Sequence, residues 1–205
     1  MKLPFLEQTG CCSICGRPVE GFTGEYVCED CETHRPEFDR AAAALRFEGR
    51  ARLMVLDFKF NRHLWLRDDL ADFLEAAVRA RLDVPSVDVV IPMPTTRVHR
   101  WYRGYNQCEP IARLLAKRIG RRCDSGSLVR CGNPSRQSSL TEAERRENVK
   151  GTFSVRRPSL VRGRTVLVVD DILTTGATMS EAAHALKESG AARVWAATLA
   201  RSTRD

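Results

Sequence analysis

Apolar positions in this chain come in two kinds of run that take turns. Two short continuous runs, Val87-Asp-Val-Val-Ile91 and Thr165-Val-Leu-Val-Val-Asp170, have the length and composition of strands buried on both faces of a parallel sheet. Residues 41–47, 127–130 and 193–199 read as further strands, and Pro92-Met-Pro94 ends the run before it. Other segments carry apolar residues at helical spacing. Leu53, Leu56 and Phe60 do so within 50–60, and Met179, Ala183 and Leu186 within 177–188. Asp68 or Asp69 opens a helix with Leu70, Phe73, Leu74, Ala77 and Val78 on one face. Ile111, Leu114, Leu115 and Ile119 form another stripe, stopped by Gly120. These stripes are core, not cofactor boxes. Strands alternating with helices predict an α/β domain with a mainly parallel sheet. Residues 133–148 are polar, highly charged and poor in apolar side chains, which predicts a long mobile loop.

The chain has 205 residues, 43% hydrophobic and 29% charged, enough for one substantial domain and a small appendage. No apolar run approaches the roughly 20 residues of a spanning helix. The start, MKLPFLEQTGCC, has no apolar stretch of a signal peptide. No membrane insertion is expected, and the location expected is cytoplasmic. The net charge of +7 is concentrated: residues 95–150 hold thirteen Lys or Arg against five Asp or Glu. The remainder is nearly balanced. Such a block suggests an anionic ligand or nucleic acid without choosing between them.

Eight cysteines without a secretion signal point to metal or reduced thiols. Cys12-Ser-Ile-Cys15 and Cys28-Glu-Asp-Cys31 form two C-x2-C pairs twelve residues apart, the pattern of a structural Zn2+ site with four thiolates. Gly16 suits a turn that brings amides toward sulfur, and Gly21, Phe22, Gly24, Tyr26 and Val27 suit a short hairpin between the pairs. So few residues cannot build an apolar core, so the metal would hold this fold together. Cys11 could replace Cys12, and His34 follows Cys31 by three residues. Cys108, Cys123 and Cys131 read as ordinary buried or half-buried thiols.

Ligands of open α/β sheets sit beyond the C-terminal strand ends. There Asp170 and Asp171 could accept hydrogen bonds from a sugar diol. Thr174, Thr175, Gly176, Ala177 and Thr178 then enter a helix whose free amides and positive end suit a phosphate dianion. Two adjacent acids could also be an N-cap or a metal site, but the Thr-Thr-Gly-x-Thr that follows favours a phosphorylated sugar. No G-x-x-x-x-G-K-[ST] pattern is present.

The segment from Val166 to Thr178 resembles the 5-phosphoribosyl-1-pyrophosphate (PRPP) binding motif of type I phosphoribosyltransferases, with no departure inside the motif. The resemblance implies a twisted, mainly parallel sheet flanked by helices. Asp170 and Asp171 would hold the ribose hydroxyls, and Thr174, Thr175, Gly176, Ala177 and Thr178 the 5-phosphate. Val89-Val-Ile-Pro-Met-Pro94, Arg103-Gly-Tyr-Asn-Gln107, Arg136-Gln137, Glu144-Arg145 and the stretch from Asn148 to Phe153 look like the competence protein F (ComF) family. In that family a cysteine-rich zinc module precedes a phosphoribosyltransferase-like domain. The likeness covers 12–201 and is weakest over 37–82. It implies a zinc-ribbon-like module with four cysteine ligands over 1–36 and a phosphoribosyltransferase-like domain over 37–205. Chain order puts a hood over the sheet within 37–82 or the zinc module, and the resemblance implies a lid over 133–148.

By the same likeness, a pyrophosphate loop lies at 92–95, so that Pro94, Thr95 and Arg97 would contact PRPP, whose pyrophosphate is normally bound with Mg2+. Arg97, Arg100 and Arg103 could neutralise phosphate oxygens, or form a solvated face. Arg136, Gln137, Arg145 and Asn148 could close as a lid or belong to a surface loop. Arg103 and Arg145 join Asp170 and Asp171 as candidates for catalysis, a displacement at ribose C1 that transfers the phosphoribosyl group to an unknown acceptor, a nucleobase among the candidates, and releases pyrophosphate. Of the histidines only His99 is near this site; His63 and His184 read as structural. The competing reading is a non-catalytic protein that binds single-stranded DNA together with other DNA-uptake proteins. Trp101, Tyr102 and Tyr105 could then stack bases, or pack against the sheet.

Overall fold

A computed structural model describes residues 3–18, 24, 26–60, 63–96, 105–131 and 142–202. Its elements are helix α1 (Glu29–Thr33), strand β1 (Arg40–Arg46), helices α2 (Gly49–Phe60) and α3 (Arg67–Arg81), β2 (Val89–Pro92), α4 (Cys108–Arg118), β3 (Arg122–Cys123), β4 (Leu128–Arg130), α5 (Glu142–Val149), β5 (Phe153–Val155), β6 (Thr165–Leu173), α6 (Ala177–Glu188) and β7 (Arg193–Arg201). Five strands form one sheet in the order β1-β7-β6-β2-β3, every neighbour parallel. Strands β4 and β5 pair antiparallel in a separate ribbon.

Both faces of the sheet are covered, as the unbroken apolar runs require. Side chains alternate across a strand, so β6 sends Leu167 and Val169 into a core with α2, α3 and α4, and Val166 and Val168 into another. That second core holds Phe38, Met179 and Leu186 together with the buried cysteines Cys12, Cys15, Cys28 and Cys31. The four-cysteine segment is therefore packed into the body. Backbone bonds fasten it there, with the Ala41 N–H donating to the Ile14 carbonyl at 2.7 Å. The alanine run of β1 is poor strand material by propensity. Its small side chains, buried from Ala41 to Ala44, let α3 approach the sheet on one side and the cysteine segment on the other.

Several expectations need correction. Helix α2 buries Ala51, Val55 and Phe58, while Leu53 is 58% and Phe60 55% exposed. Both triplets have helical spacing, so periodicity alone could not choose the face. Strand β6 runs three residues further than expected, to Leu173, because it keeps pairing with β7 as far as Arg201. The loop expected over 133–148 contains α5, which buries Val149 and packs on α6. The sequence of α5, EAERRENV, holds only two apolar residues and so leaves no stripe to read. The segment 37–82 supplies an edge strand and two sheet-covering helices, and Phe47, together with Lys59 of α2, reaches the cavity at the end of β6. Among the described residues no helix is long and apolar enough to cross a membrane.

Candidate functional site

Strand β6 ends beside a cavity of about 310 Å3, lined by Pro94, Thr95, Asp170, Thr174, Gly176 and Thr178 among others. The chain turns sharply there. Gly176 has φ 82°, and a Cβ on it would lie 3.4 Å from the Phe38 ring. Only glycine meets both demands without strain. Helix α6 begins at the next residue, so the amides of 177, 178 and 179 lack partners within the helix. One of them, the Ala177 N–H, donates to Thr175 Oγ1 at 3.3 Å. Thr174, Gly176 and Thr178 face the acids across this cavity. Thr175 and Ala177 instead line a larger cavity of about 810 Å3 on the other side of the turn. That larger space runs between the cysteine segment and α6 and contains neither Asp170 nor Asp171.

The two acids are not equivalent. Asp171 is 5% exposed and forms an ion pair with Lys59 of α2, whose Nζ lies 2.9 Å from Oδ2. Gln107 Nε2 donates to the same carboxylate at 3.2 Å. Asp170 is half-buried and has no ammonium partner among the described residues; its Oδ1 accepts the Asp171 N–H at 2.8 Å and the Cys108 thiol at 3.4 Å. Burial, and then the charge of Asp171, push the Asp170 carboxyl up to about 6. Burial works against the charge on Lys59, but Asp171 and Asp170 outweigh it and raise its pKa. Cys108 is held well above the usual thiol range by burial and the two carboxylates, so it stays a neutral donor.

Three consecutive residues tie this site together. The Asn106 amide donates to the Met93 carbonyl at 3.0 Å, which holds the turn after β2. Gln107 holds Asp171 and Cys108 holds Asp170. Cys108 was expected to be an ordinary thiol; it is buried, but beside the acids. Lys59 and Arg130 also line the cavity and were not singled out in the sequence. Gln107 stood in a motif that could have flagged it, whereas nothing local marks Lys59. Arg97, His99, Arg100, Trp101, Tyr102, Arg103, Arg136 and Gln137 lie outside the described residues, as does the side chain of Arg145.

The second centre is the cysteine tetrad. One ligand sulfur from each of Cys12, Cys15, Cys28 and Cys31 lies within 4.8 Å of the others, and all four residues are buried. Gly16, at φ 71°, closes the first turn, and α1 starts directly after Cys28 and carries Cys31. The Cys28 N–H donates to Cys12 Sγ at 3.4 Å. Hydrogen bonds from Cys15 and Cys31 hold Cys12 below the usual thiol range. Burial and the charge of Cys15 push Cys28 up to about 11, and the bond to Cys12 pushes Cys31 up. Four thiols so placed cannot all ionise without a compensating cation. The donor set fits tetrahedral Zn2+ with no open coordination position. Cys11 is outside this cluster, beside Arg81, and His34 is exposed. Of the hairpin residues expected between the pairs, Gly21 and Phe22 lie outside the described residues.

A family model for the phosphoribosyl transferase domain matches residues 106–205. Competence protein ComFC of Bacillus subtilis is 30% identical over 200 residues, covering 93% of this chain and 78% of that protein. Competence protein F of Haemophilus influenzae is 28% identical, over 93% of this chain and 84% of that protein. A DNA utilization protein, YhgH, of Salmonella typhi is 29% identical over 212 residues, 96% of this chain and 92% of that protein.

Proposed function

Since this chain belongs to the competence protein F family and has a phosphoribosyltransferase-like fold, we propose that it binds PRPP with Mg2+ in the cavity at the end of β6 and transfers the phosphoribosyl group to an acceptor with release of pyrophosphate. The observation that carries this reading is one juxtaposition. Asp170, with no ammonium partner among the described residues, faces the start of α6 across the same 310 Å3 cavity. The amides of that turn, with the hydroxyls of Thr174 and Thr178, suit a 5-phosphate. Asp170 suits the ribose hydroxyls. Asp171, held by Lys59 and Gln107, positions Asp170 rather than meeting the sugar. Pro94 and Thr95 line the side where a diphosphate would lie, and Arg130 and Lys59 supply positive charge. A hard cation taking oxygen ligands from Asp170 and the diphosphate would, when bound, offset the charge of the leaving group.

A second reading is favoured by the charge block over 95–150 and by the relatives whose names concern competence and DNA utilization. Single-stranded DNA would then bind along the basic segment.

Pyrophosphate release and single-stranded DNA affinity, measured on the wild type and on a double variant Asp170→Asn/Asp171→Asn, separate the two. The transferase reading expects release from PRPP and Mg2+ only with an acceptor from a nucleobase panel, abolished in the variant. DNA affinity should survive in the variant and fall steeply with salt. No release with any acceptor argues against transfer, and equal loss of both properties argues against separate sites.

A further inference from the structure

Arg201, at the end of β7, is 2% exposed. Among the described residues no carboxylate pairs with it, an arrangement that is costly for a buried cation unless another anion takes that place. Its guanidinium points two ways. Nη2 donates to Cys15 Sγ of the tetrad at 3.4 Å. Nη1 donates to the Thr174 carbonyl at 2.9 Å, in the turn before α6, and lies 3.4 Å from the Leu173 carbonyl. A zinc ion with four thiolates carries two net negative charges, and a buried guanidinium beside one sulfur is a natural partner for it. If the metal leaves, Cys15 is no longer fixed in place and the guanidinium loses one of the two anchors that orient it toward the Thr174 carbonyl.

We infer that Arg201 is a positioning residue that couples the four-cysteine metal centre to the Thr174–Thr178 turn, so that loss of metal disorders the turn. Metal release would then disarm the site at the end of β6. The contacts stand without a ligand, but the consequence for PRPP rests on the function proposed above. Coupling between two sites is reciprocal: if metal orders the turn for its ligand, the ligand must also strengthen metal retention.

Hydrogen exchange on the full-length protein tests this directly, comparing the zinc-loaded form with a chelator-treated sample. Peptides covering 173–179 should exchange about tenfold faster after chelation, within the usual range of coupling energies. A peptide covering 183–188, in the same helix, should stay protected. In Arg201→Lys, which keeps the charge but lacks the two-way planar fork, the turn should exchange fast with zinc bound. Unchanged exchange at 173–179 after chelation overturns the inference, as does general unfolding that includes 183–188, or wild-type behaviour in Arg201→Lys. In a second arm, PRPP with Mg2+ should slow zinc transfer to a chromogenic chelator in the wild type but not in Arg201→Lys. If exchange is coupled while PRPP has no effect on zinc transfer, the coupling stands and PRPP binding fails.

Discussion

The ammonium of Lys59 lies 3.0 Å from Oδ1 and 2.9 Å from Oδ2 of Asp171, across 112 residues of chain. Through that pair α2 reaches over the end of β6 and takes up one of two adjacent carboxylates. Asp170 is left as the acid available to a ligand. Gln107 and Cys108 complete the division by holding Asp171 and Asp170 in turn.

Removing Lys59 should expose how much the pair stabilises the fold. Breaking one partner of a buried pair costs roughly 3–5 kcal/mol. Lys59 is 24% exposed, so the lower part of that range applies. For Lys59→Met we expect a loss of about 3 kcal/mol, which lowers Tm by roughly 6–12 °C at this chain length. Lys59→Met/Asp171→Asn should recover most of it. A thermal melt of zinc-loaded protein reads both, and an unchanged Tm in the single variant would show the pair to be idle.

Asp170 makes stability depend on pH. Its carboxyl is raised from 3.8 to about 6 in the folded protein, so the folded state holds the proton longer than the unfolded chain. The stabilisation is fully present below the unfolded value and is lost as pH rises through about 6. Asp170→Asn removes this dependence. Its Tm relative to wild type should climb by several degrees between about pH 4 and pH 6 and level off above about pH 7. A difference that does not vary with pH would mean that Asp170 ionises normally.

Gly176 should resist substitution twice over. Alanine at φ 82° costs roughly 1–2 kcal/mol from backbone strain alone. Its methyl would also press on Phe38, 3.4 Å away. Gly176→Ala/Phe38→Leu should relieve the contact but not the strain. Urea denaturation of the single and double variants separates the two contributions.

Metal at the tetrad should be visible as protection of thiols. Cys131 is exposed and Cys123 half-buried, while Cys11 and Cys108 are buried outside the tetrad. Alkylation of the native, zinc-loaded protein should label Cys131 first and leave Cys12, Cys15, Cys28 and Cys31 unlabelled. Chelation should add those four, which mass spectrometry of digested peptides resolves. Labelling of the four cysteines at the same rate before and after chelation would contradict a metal centre there.

What could be read from the sequence follows from how local each signal is. Helix α6 emerges at 177–188, as its apolar spacing required, because its stripe, its glycine and its position after an apolar strand all lie within one short segment. The tetrad was legible for the same reason, since each C-x2-C pair is its own turn. The face of α2 was not legible, because Leu53 and Phe60 repeat with the same period as Val55 and Phe58. The roles of Lys59 and Arg201 depend on contacts made only after the sheet is assembled. Neither residue carries a local mark. Asp170 and Asp171 were legible as a pair, but their separate tasks depend on which neighbours α2 and α4 bring to them.

Isothermal titration of the zinc-loaded protein with PRPP in the presence of Mg2+ tests the central claim most directly. We expect saturable binding of one PRPP per chain, at least tenfold weaker in Asp170→Asn because a charge-assisted acceptor is lost, and also weaker in Gly176→Ala. No heat with the wild type, or equal affinity in Asp170→Asn, would contradict a sugar-phosphate site at the end of β6.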